Sequence, residues 1–304
     1  MHVAPVSAIV AAHKRKAMVL KTMRCISECS PPPDEIMVHV DGGEEDTAEA
    51  VRTEFPHAKV IVSSGNLGPG GARNKMVETA ANEYVASFDD DSYPVERDYF
   101  ARVIVLMETF PDVSILNAAV HHRGEHAKPD EQHASLVSDF SGGACIYRRS
   151  AFLTTSGYVP LAMAYGMEEV DLALRMHADG HRIMHTPWLR VFHDTDLGRH
   201  ADPGVTAASV ANIALLTFLR YPVVCWPIGV GQLLKRVKWL LHNGRRRGIV
   251  KGLLNVPSHL YGHRVYRSAL RATSVHSYLK LRRTPVRMSW EPTTDPSISH
   301  RRAD

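Results

Sequence analysis

The chain has 304 residues, of which 44% are apolar and 22% are charged, as in an ordinary soluble protein. This length allows about one or two globular domains with a large core. The four cysteines lack the paired spacing of a metal site, and Cys25 and Cys29 lie four residues apart on a predicted helix. We interpret them as buried thiols in a reducing cytoplasm, and we expect no secretory signal at the N-terminus.

Charge is divided unevenly along the chain. Residues 206–304 contain 17 Lys and Arg against 3 Asp and Glu, whereas residues 1–205 contain 19 against 29. An acidic N-terminal part and a strongly basic C-terminal part predict two regions with different partners.

Strand-like and helix-like segments alternate through the N-terminal two thirds of the chain. A first apolar strand leads into a helix that ends before three consecutive prolines. Strands are predicted at 6–12, 35–40, 59–63, 84–88 and 113–120, with two short strands at 182–185 and 189–193. This alternation predicts an α/β fold with a mostly parallel sheet and helices on both faces.

Asp89, Asp90 and Asp91 follow the predicted strand at 84–88 without interruption. Burying unpaired carboxylates costs on the order of several kcal/mol each, so we place them just past the carboxyl end of the strand, where α/β sheets bind ligands. The pattern alone indicates either a site for a divalent metal and phosphate or a solvated acidic turn. Carboxylates are hard ligands for Mg²⁺ or Mn²⁺, which typically share their coordination with substrate phosphates.

Other polar residues stand where predicted strands end or helices begin. Asp41 ends the second strand, where it could accept a hydrogen bond from a base or a ribose. The pair Glu168-Glu169 opens a helix, where the helix dipole favours acids. His193, followed by Asp194, ends a later strand and could complete a metal shell. These positions together favour a site over a solvated surface.

Several common site motifs are excluded. The loop at 68–71 is rich in glycine, but the sixth position of a dinucleotide fingerprint is Arg73, and the loop follows the third strand. No P-loop and no G-x-S-x-G element is present. His177, His181 and His185 are spaced by four, but Gly180 interrupts their helix, so we interpret them as surface histidines and not as a zinc site.

The character of the chain changes near residue 205. The apolar segments that follow are interrupted by Arg220, Pro222 and Pro227, so they do not form a clean span of ~20 residues. Gln232–His242 predicts an amphipathic helix whose apolar face consists of Leu233, Leu234, Val237, Leu240 and Leu241. It resembles an interfacial helix on anionic lipid, and the alternative is a helix packed on the body with a basic outer face. We predict a helical, membrane-associating region at 205–284 and a disordered tail at 285–304.

The order of these motifs resembles the family-2 glycosyltransferases, which have a GT-A fold. A small polar loop after the first strand and the acid that ends the second strand agree with the family pattern. Three longer elements also agree: 66–74 with N-x-G-x-x-x-A-R-N, 88–91 with D-x-D, and 168–175 with E-D-x-D-L-x-x-R. The resemblance covers residues 5–200 and implies a nucleotide-sugar-binding catalytic domain at 1–204.

The resemblance implies roles for individual residues. Glu169 stands at the position of the general base, and Asp91 and His193 would hold Mg²⁺ or Mn²⁺. The nucleotide sugar would contact Ala11, His13, Asp41, Asn66, Gly68, Arg73, Asp89 and Asp90. The acceptor side would include Gly142, Gly143 and Glu168. Two positions depart from the family pattern: His13 replaces a segment such as Thr-Tyr-Asn, and the acid pair is Glu-Glu, which leaves open which carboxylate is the base.

The implied activity is metal-dependent, inverting transfer of a hexosyl or deoxyhexosyl group from a nucleoside-diphosphate sugar, UDP- or dTDP-linked. The acceptor would be a hydroxyl of a glycan or a lipid-linked molecule in polysaccharide biosynthesis. The alternative is a non-catalytic, membrane-associated protein that binds a sugar nucleotide or a glycan in a degenerate site. We expect a cytoplasmic protein, peripheral on the inner face of the cell membrane, with no nucleic-acid partner. A polar loop at 121–133 is either part of the substrate side or plain surface.

Overall fold

A computed structural model of the chain describes residues 3–125, 133–163, 165–195 and 202–288. The strands in this part are β1 (Ala4–Ala12), β2 (Pro33–Val40), β3 (Lys59–Val62), β4 (Tyr84–Asp89), β5 (Ser92–Pro94), β6 (Val113–His121), β7 (Ser135–Val137), β8 (Ala144–Arg148), β9 (Arg182–His193) and β10 (Val286–Arg287). The helices are α1 (Lys16–Ser27), α2 (Glu45–Glu54), α3 (Gly68–Thr79), α4 (Tyr99–Thr109), α5 (Arg149–Leu153), α6 (Glu168–Ala178), α7 (Pro203–Arg220), α8 (Trp226–His242), α9 (Ile249–Gly262) and α10 (Ala272–Arg283). Short 3-10 turns lie at Val223–Cys225 and Arg264–Tyr266.

The strands form one sheet in the order β10-β7-β9-β6-β8-β4-β1-β2-β3, with β5 paired to β9. Strands β3, β2, β1 and β4 are parallel neighbours, and β8 runs antiparallel between β4 and β6. The chain passes outward from β1 to β3 and then returns to the other side of β1 as β4. The carboxyl ends of β1 and β4 therefore flank the point where the strand order reverses, which is where open α/β sheets bind ligands.

The two faces of the sheet enter separate apolar clusters because successive side chains of a strand point to opposite sides. In β1, Ile9 packs in one cluster with side chains of α3 and α6. Its neighbours Ala8 and Val10 pack in the other cluster with α1, α2 and α4. Helices therefore cover both faces of the sheet, and the predicted α/β class is confirmed.

Two predicted boundaries, those of the strands at 182–193 and of the C-terminal tail, need correction. The strands predicted at 182–185 and 189–193 are one strand, β9, because its pairing with β6 continues across an irregularity between Ala118 and Ala119. The disordered tail was predicted to start at residue 285, but Val286 and Arg287 form β10 and pair with β7. Residues 289–304, and residues 126–132 of the polar loop, lie outside the described part of the chain.

Helix α7 belongs to the main core. Leu215 and Leu219 are buried in the same cluster as side chains of α3 and α6. Arg220 Nε donates to Asp171 Oδ1 on α6 at 2.5 Å. In the described residues, α7 is the one helix that is long and apolar enough to cross a membrane, and 61% of it is buried inside the fold. The predicted boundary at residue 204 therefore marks a change of composition and not the end of the core.

The apolar face predicted on 232–242 is partly internal. Leu240 is fully buried, and Leu233 and Val237 pack with it in a small separate cluster. Leu234 and Leu241 are 64% and 48% exposed. The helix thus packs on the body through one part of this face and presents another part to solvent.

Candidate active site

A cleft of 390 Å³ opens at the sheet edge where β1 and β4 end. Loops after β1, β2, β3, β4 and β9 form most of its walls. The lining residues are Ala11, Ala12, His13, Arg15, Asp41, Asn66, Gly68, Pro69, Ala72, Asp89, Asp90, Asp91, Ala162, His193 and Thr195. The sheet thus brings nine of the predicted site residues together. The other five predicted residues, Arg73, Gly142, Gly143, Glu168 and Glu169, do not line the cleft.

Backbone pairing brings His193 to the acid triplet. Directly after Asp91 the chain forms β5, which pairs antiparallel with the end of β9 in the register Ser92–His193. The backbone N–H of Asp194 donates to the carbonyl oxygen of Asp91 at 2.8 Å. As a result, His193 Nε2 lies 3.1 Å from Asp91 Oδ1. The Asp194 side chain instead pairs with Lys21 at 2.6 Å and with Arg123 at 2.5 Å.

Asp89, Asp91 and His193 form a candidate metal-binding group. Each offers one ligand atom, and the three atoms lie within 4.8 Å of one another. Burial opposes ionisation of Asp91, but His193 and Arg15 outweigh it and lower the pKa of Asp91 to about 2. Two carboxylates and an imidazole are a donor set that suits Mn²⁺, and the carboxylates also suit Mg²⁺. The residues present therefore fit a divalent cation.

Arg15 lines the cleft, although no motif in the sequence indicated it. Its Nη1 lies 2.5 Å from Asp91 Oδ2, and its Nε lies 3.0 Å from Asp90 Oδ2. Its Nη2 also contacts Asp90. The signal in the sequence is a basic residue two positions after His13, in the loop that follows the first strand. A guanidinium here balances the charge of the triplet, and its planar geometry also matches phosphate oxygens.

Asp41 holds the glycine loop that forms another wall of the cleft. Its carboxylate accepts hydrogen bonds from the backbone N–H groups of Leu67 at 2.9 Å and Gly68 at 2.8 Å, and from Ser63 Oγ at 2.7 Å. Gly68 has a φ of +71°, and a Cβ there would lie 1.9 Å from the carbonyl oxygen of Leu161. The loop conformation thus requires glycine at this position. The contact of Asp41 with a nucleotide base stays a prediction.

Arg73 is 1% exposed, so it does not reach the cleft in the way the predicted contact with a nucleotide sugar requires. Its Nη1 lies 2.9 Å from Glu168 Oε1, its Nε lies 3.1 Å from Ser87 Oγ, and its Nη2 pairs with Asp89. Glu168 also accepts from the backbone N–H of Gly70 at 3.0 Å. Arg73 therefore joins α3, β4 and α6 and orients Asp89 from the protein interior.

The two acids at the start of α6 differ in their surroundings. Burial and the charge of Glu169 raise the pKa of Glu168, against the opposing effect of Arg73. Glu169 is half-buried, accepts a hydrogen bond from the Gly142 N–H at 3.3 Å, and has a pKa raised by burial. Because Glu168 is held in a buried ion pair, Glu169 is the better candidate for a base.

The glycine turn before β8 packs directly on this group. A Cβ on Gly142 would lie 2.9 Å from Glu169 Oε1, and a Cβ on Gly143 would lie 2.2 Å from Asp89 Oδ2. Larger residues would therefore displace both carboxylates. The turn was predicted on the acceptor side, and its visible role in the described residues is to leave room for Asp89 and Glu169.

Residues 7–155 match the model of a known family, described as "Glycosyl transferase family 2". This part of the chain is a glycosyl transferase family 2 domain. The matched segment runs from β1 through α5 and contains Asp41, the acid triplet and the glycine turn. Glu169 and His193 lie beyond it, so their family roles depend on their geometry in this fold. No curated protein sequence matches this chain.

Solved glycosyltransferase structures share the fold. The mannosyltransferase PcManGT from Pyrobaculum calidifontis, in complex with GDP-Man and Mn²⁺, is 17% identical with a TM-score of 0.56, and the match covers 92% of this chain and 80% of that one. GalNAc-T7 with UDP, GalNAc and Mn²⁺ is 12% identical with a TM-score of 0.57, and the match covers 73% of this chain and 49% of that one. S. aureus TarS 1–349 with UDP-GlcNAc is 14% identical with a TM-score of 0.53, and the match covers 86% of this chain and 91% of that one.

The match spans 49% of the GalNAc-T7 chain and 80% of the PcManGT chain. The predicted family and GT-A fold are confirmed. The predicted cofactor, Mg²⁺ or Mn²⁺, is also confirmed, since the described residues contain a fitting donor set and the family fold is established.

Proposed function

We propose that this chain transfers a hexosyl or deoxyhexosyl group from a nucleoside-diphosphate sugar to a hydroxyl of a glycan or a lipid-linked acceptor. The observation that carries the proposal is the meeting of two elements in one cleft. The metal-binding group Asp89–Asp91–His193 stands at the switch point, and the Asp41-held glycine loop forms a neighbouring wall. A nucleoside diphosphate needs both a cation site and a polar wall for its base and ribose.

The residues of the chain suggest how the transfer proceeds. Asp89, Asp91 and His193 would hold the divalent cation, whose chemistry when bound is to offset the charge that grows on the leaving diphosphate. Arg15 adds a positive charge at the same wall of the cleft. Glu169 accepts the proton of the acceptor hydroxyl as that oxygen attacks the anomeric carbon. A single displacement with one such base inverts the configuration at that carbon.

The test is a screen of UDP-, dTDP- and GDP-linked sugars with Mn²⁺ or Mg²⁺, read as release of nucleoside diphosphate. We expect release from one donor, its loss on chelation, and its loss in Asp91→Ala. A matched control is Asp46→Ala, which removes an exposed carboxylate that pairs with Lys16 on the surface. A protein that binds the donor with the same metal dependence but releases no nucleoside diphosphate with any acceptor would be a non-catalytic binder, and the proposal would be wrong.

A further inference from the structure

Exposed apolar side chains are concentrated in one part of the C-terminal region. Of the 18 large hydrophobic residues exposed in the described part of the chain, 13 lie between Val223 and Tyr266. Soluble proteins expose single hydrophobic residues routinely, but a concentration of this kind marks an interaction surface. We call the exposed apolar side chains of α8, α9 and their adjoining 3-10 turns the C-terminal apolar surface.

Helix α9 shows the pattern most clearly. Val250, Leu254 and Tyr261 are 68%, 74% and 68% exposed, and Leu253 is 43% exposed. Their spacing places them on one side of the helix. On another side, Gly252 packs so closely on α7 that a Cβ would lie 2.6 Å from the carbonyl oxygen of Ala207. The orientation of α9 is therefore fixed by α7, and its apolar stripe points away from the fold.

Helix α8 and the turn before it extend the surface. Val230 and Leu234 are 55% and 64% exposed, at a spacing of one helical turn. Val223 and Val224 in the preceding 3-10 turn are 65% and 76% exposed. Neither helix can be explained as a core element with a wholly polar outer face.

The charge of the same region has one sign. Residues 223–271 contain ten Lys and Arg and no Asp or Glu. Arg236 and Arg245 both lie over the ring of Trp239, with their guanidinium carbons 4.7 and 5.7 Å from its centroid. Among the described residues, Nε and Nη2 of Arg245 are buried without a hydrogen-bond partner. Two neighbouring guanidinium groups without a carboxylate form a place for an anion such as a phosphate.

We propose that the C-terminal apolar surface docks on an anionic lipid membrane. The apolar stripes of α8 and α9 would enter the boundary of the acyl chains, and the surrounding Lys and Arg would lie at the lipid phosphates. Charge decides between this partner and a second copy of the chain. Self-association would bring together two copies of a region that has ten Lys and Arg and no Asp or Glu, which is costly, whereas an anionic membrane is complementary.

The docked surface is connected to the cleft. His259 on α9 lies 2.9 Å from Asn212 Oδ1 on α7. Asn212 Nδ2 donates to the carbonyl oxygens of Met163 and Tyr165 at 3.0 and 3.1 Å. These residues follow Ala162, which lines the cleft. Docking would therefore hold the cleft at a set position relative to the membrane.

The test is flotation of the full chain with vesicles, measured at several salt concentrations. One set of vesicles contains phosphatidylglycerol in phosphatidylcholine, and the other contains phosphatidylcholine alone. We expect the chain to float with the anionic vesicles, less so at high salt, and to stay at the bottom with neutral ones. Leu254→Glu should lower the partition coefficient about tenfold or more, because it removes a leucine that would enter the acyl-chain boundary and adds a charge of the same sign as the lipid. Leu153→Glu, at a residue that is 43% exposed on α5, is the matched control and should float like the wild type.

Three results would overturn the proposal. The first is a chain that does not float with either set of vesicles. The second is a Leu254→Glu chain that melts and floats like Leu153→Glu. The third is a wild-type dimer in sedimentation that Leu254→Glu dissociates, without flotation of either, which would assign the surface to self-association. None of these results depends on sugar transfer, so the proposed activity is tested separately.

Discussion

At the residue scale, adjacent acids of the same type have different roles because their partners differ. Glu168 accepts hydrogen bonds from Arg73 and Gly70 inside the protein, and Glu169 accepts one from Gly142. A sequence places both at the start of one helix and cannot separate them. The buried ion pair assigns Glu168 to holding Arg73, and thereby Asp89, and leaves Glu169 as the proposed proton acceptor.

Replacement of the two acids separates these roles. Glu169→Gln should lower kcat about 10²- to 10⁴-fold with donor affinity unchanged, because it removes the proton acceptor and keeps the shape. It should also remove the acid limb of the kcat–pH profile, since burial raises the pKa of Glu169 and the wild-type rate falls as pH is lowered through that pKa. Glu168→Gln is the comparison, and it should lower stability by about 1–3 kcal/mol by weakening the Arg73 pair. Near wild-type turnover in Glu169→Gln would remove it as the base.

Arg15 balances the charge of Asp90 and Asp91 in the absence of a cation. Arg15→Ala should lower the free energy of unfolding by about 1–3 kcal/mol in chelator, because the carboxylates lose a partner. Added Mn²⁺ should narrow this difference, because a cation replaces the lost positive charge. The control is Lys16→Ala, whose exposed pair with Asp46 should contribute about 0–1 kcal/mol. The measurement is thermal melting of each variant with and without Mn²⁺. A stability difference between Arg15→Ala and wild type that does not change with Mn²⁺ would contradict this role.

At the element scale, the site depends on short connections that carry little sequence signal. β5 has three residues, yet its register with β9 places His193 beside Asp91. The turn at Gly142-Gly143 has no polar side chain, yet its lack of Cβ atoms leaves space for Asp89 and Glu169. These connections set the metal-binding group more directly than the long helices do.

Gly143→Ala tests this conclusion. A Cβ 2.2 Å from Asp89 Oδ2 forces that carboxylate to move. Mn²⁺ binding should then weaken about 10- to 100-fold, the usual effect in metalloproteins of losing a group that orients a metal ligand. Gly65→Ala is the matched control, since a Cβ there meets nothing within 4 Å. The measurement is a calorimetric Mn²⁺ titration, with melting curves to show that both variants fold. Equal Mn²⁺ affinity in the two variants would show that Asp89 is not a ligand.

At the scale of the whole molecule, the basic C-terminal region is part of one fold with the catalytic domain. Leu215 and Leu219 complete the cluster on one face of the sheet, and Arg220 pairs with Asp171. The outer sides of α8 and α9 carry most of the exposed large apolar side chains of this region. The predicted location on the inner face of the cell membrane stays a prediction, since it depends on what those sides bind.

Truncation after residue 202 should abolish cooperative folding. It would expose the sheet cluster that Leu215, Leu216 and Leu219 cover, and each buried leucine contributes about 2–5 kcal/mol. Their sum is comparable to the whole stability of a domain, about 5–15 kcal/mol. The measurement is thermal melting together with size-exclusion chromatography. A soluble, monomeric fragment that melts like the full chain would show that residues 1–202 fold independently.

The sequence by itself determined the α/β fold, the sheet-edge acids and the family. Strand periodicity, glycines and an uncommon run of three acids are local signals, and they need no knowledge of distant contacts. Asp41, the acid triplet and Gly68 were all located in this way. The two strands predicted in place of β9 and the early start of the tail are errors of boundary, where local signals are weakest.

The tertiary structure decided what depends on pairing and packing between distant segments. It brought Arg15 to the triplet, separated Glu168 from Glu169, and turned part of the α8 apolar face inward. Each of these depends on which neighbour occupies the space beside a residue, and residues far apart in the chain supply that neighbour. Composition showed that the last third is basic and apolar, but only packing on α7 determines which of its apolar side chains remain exposed.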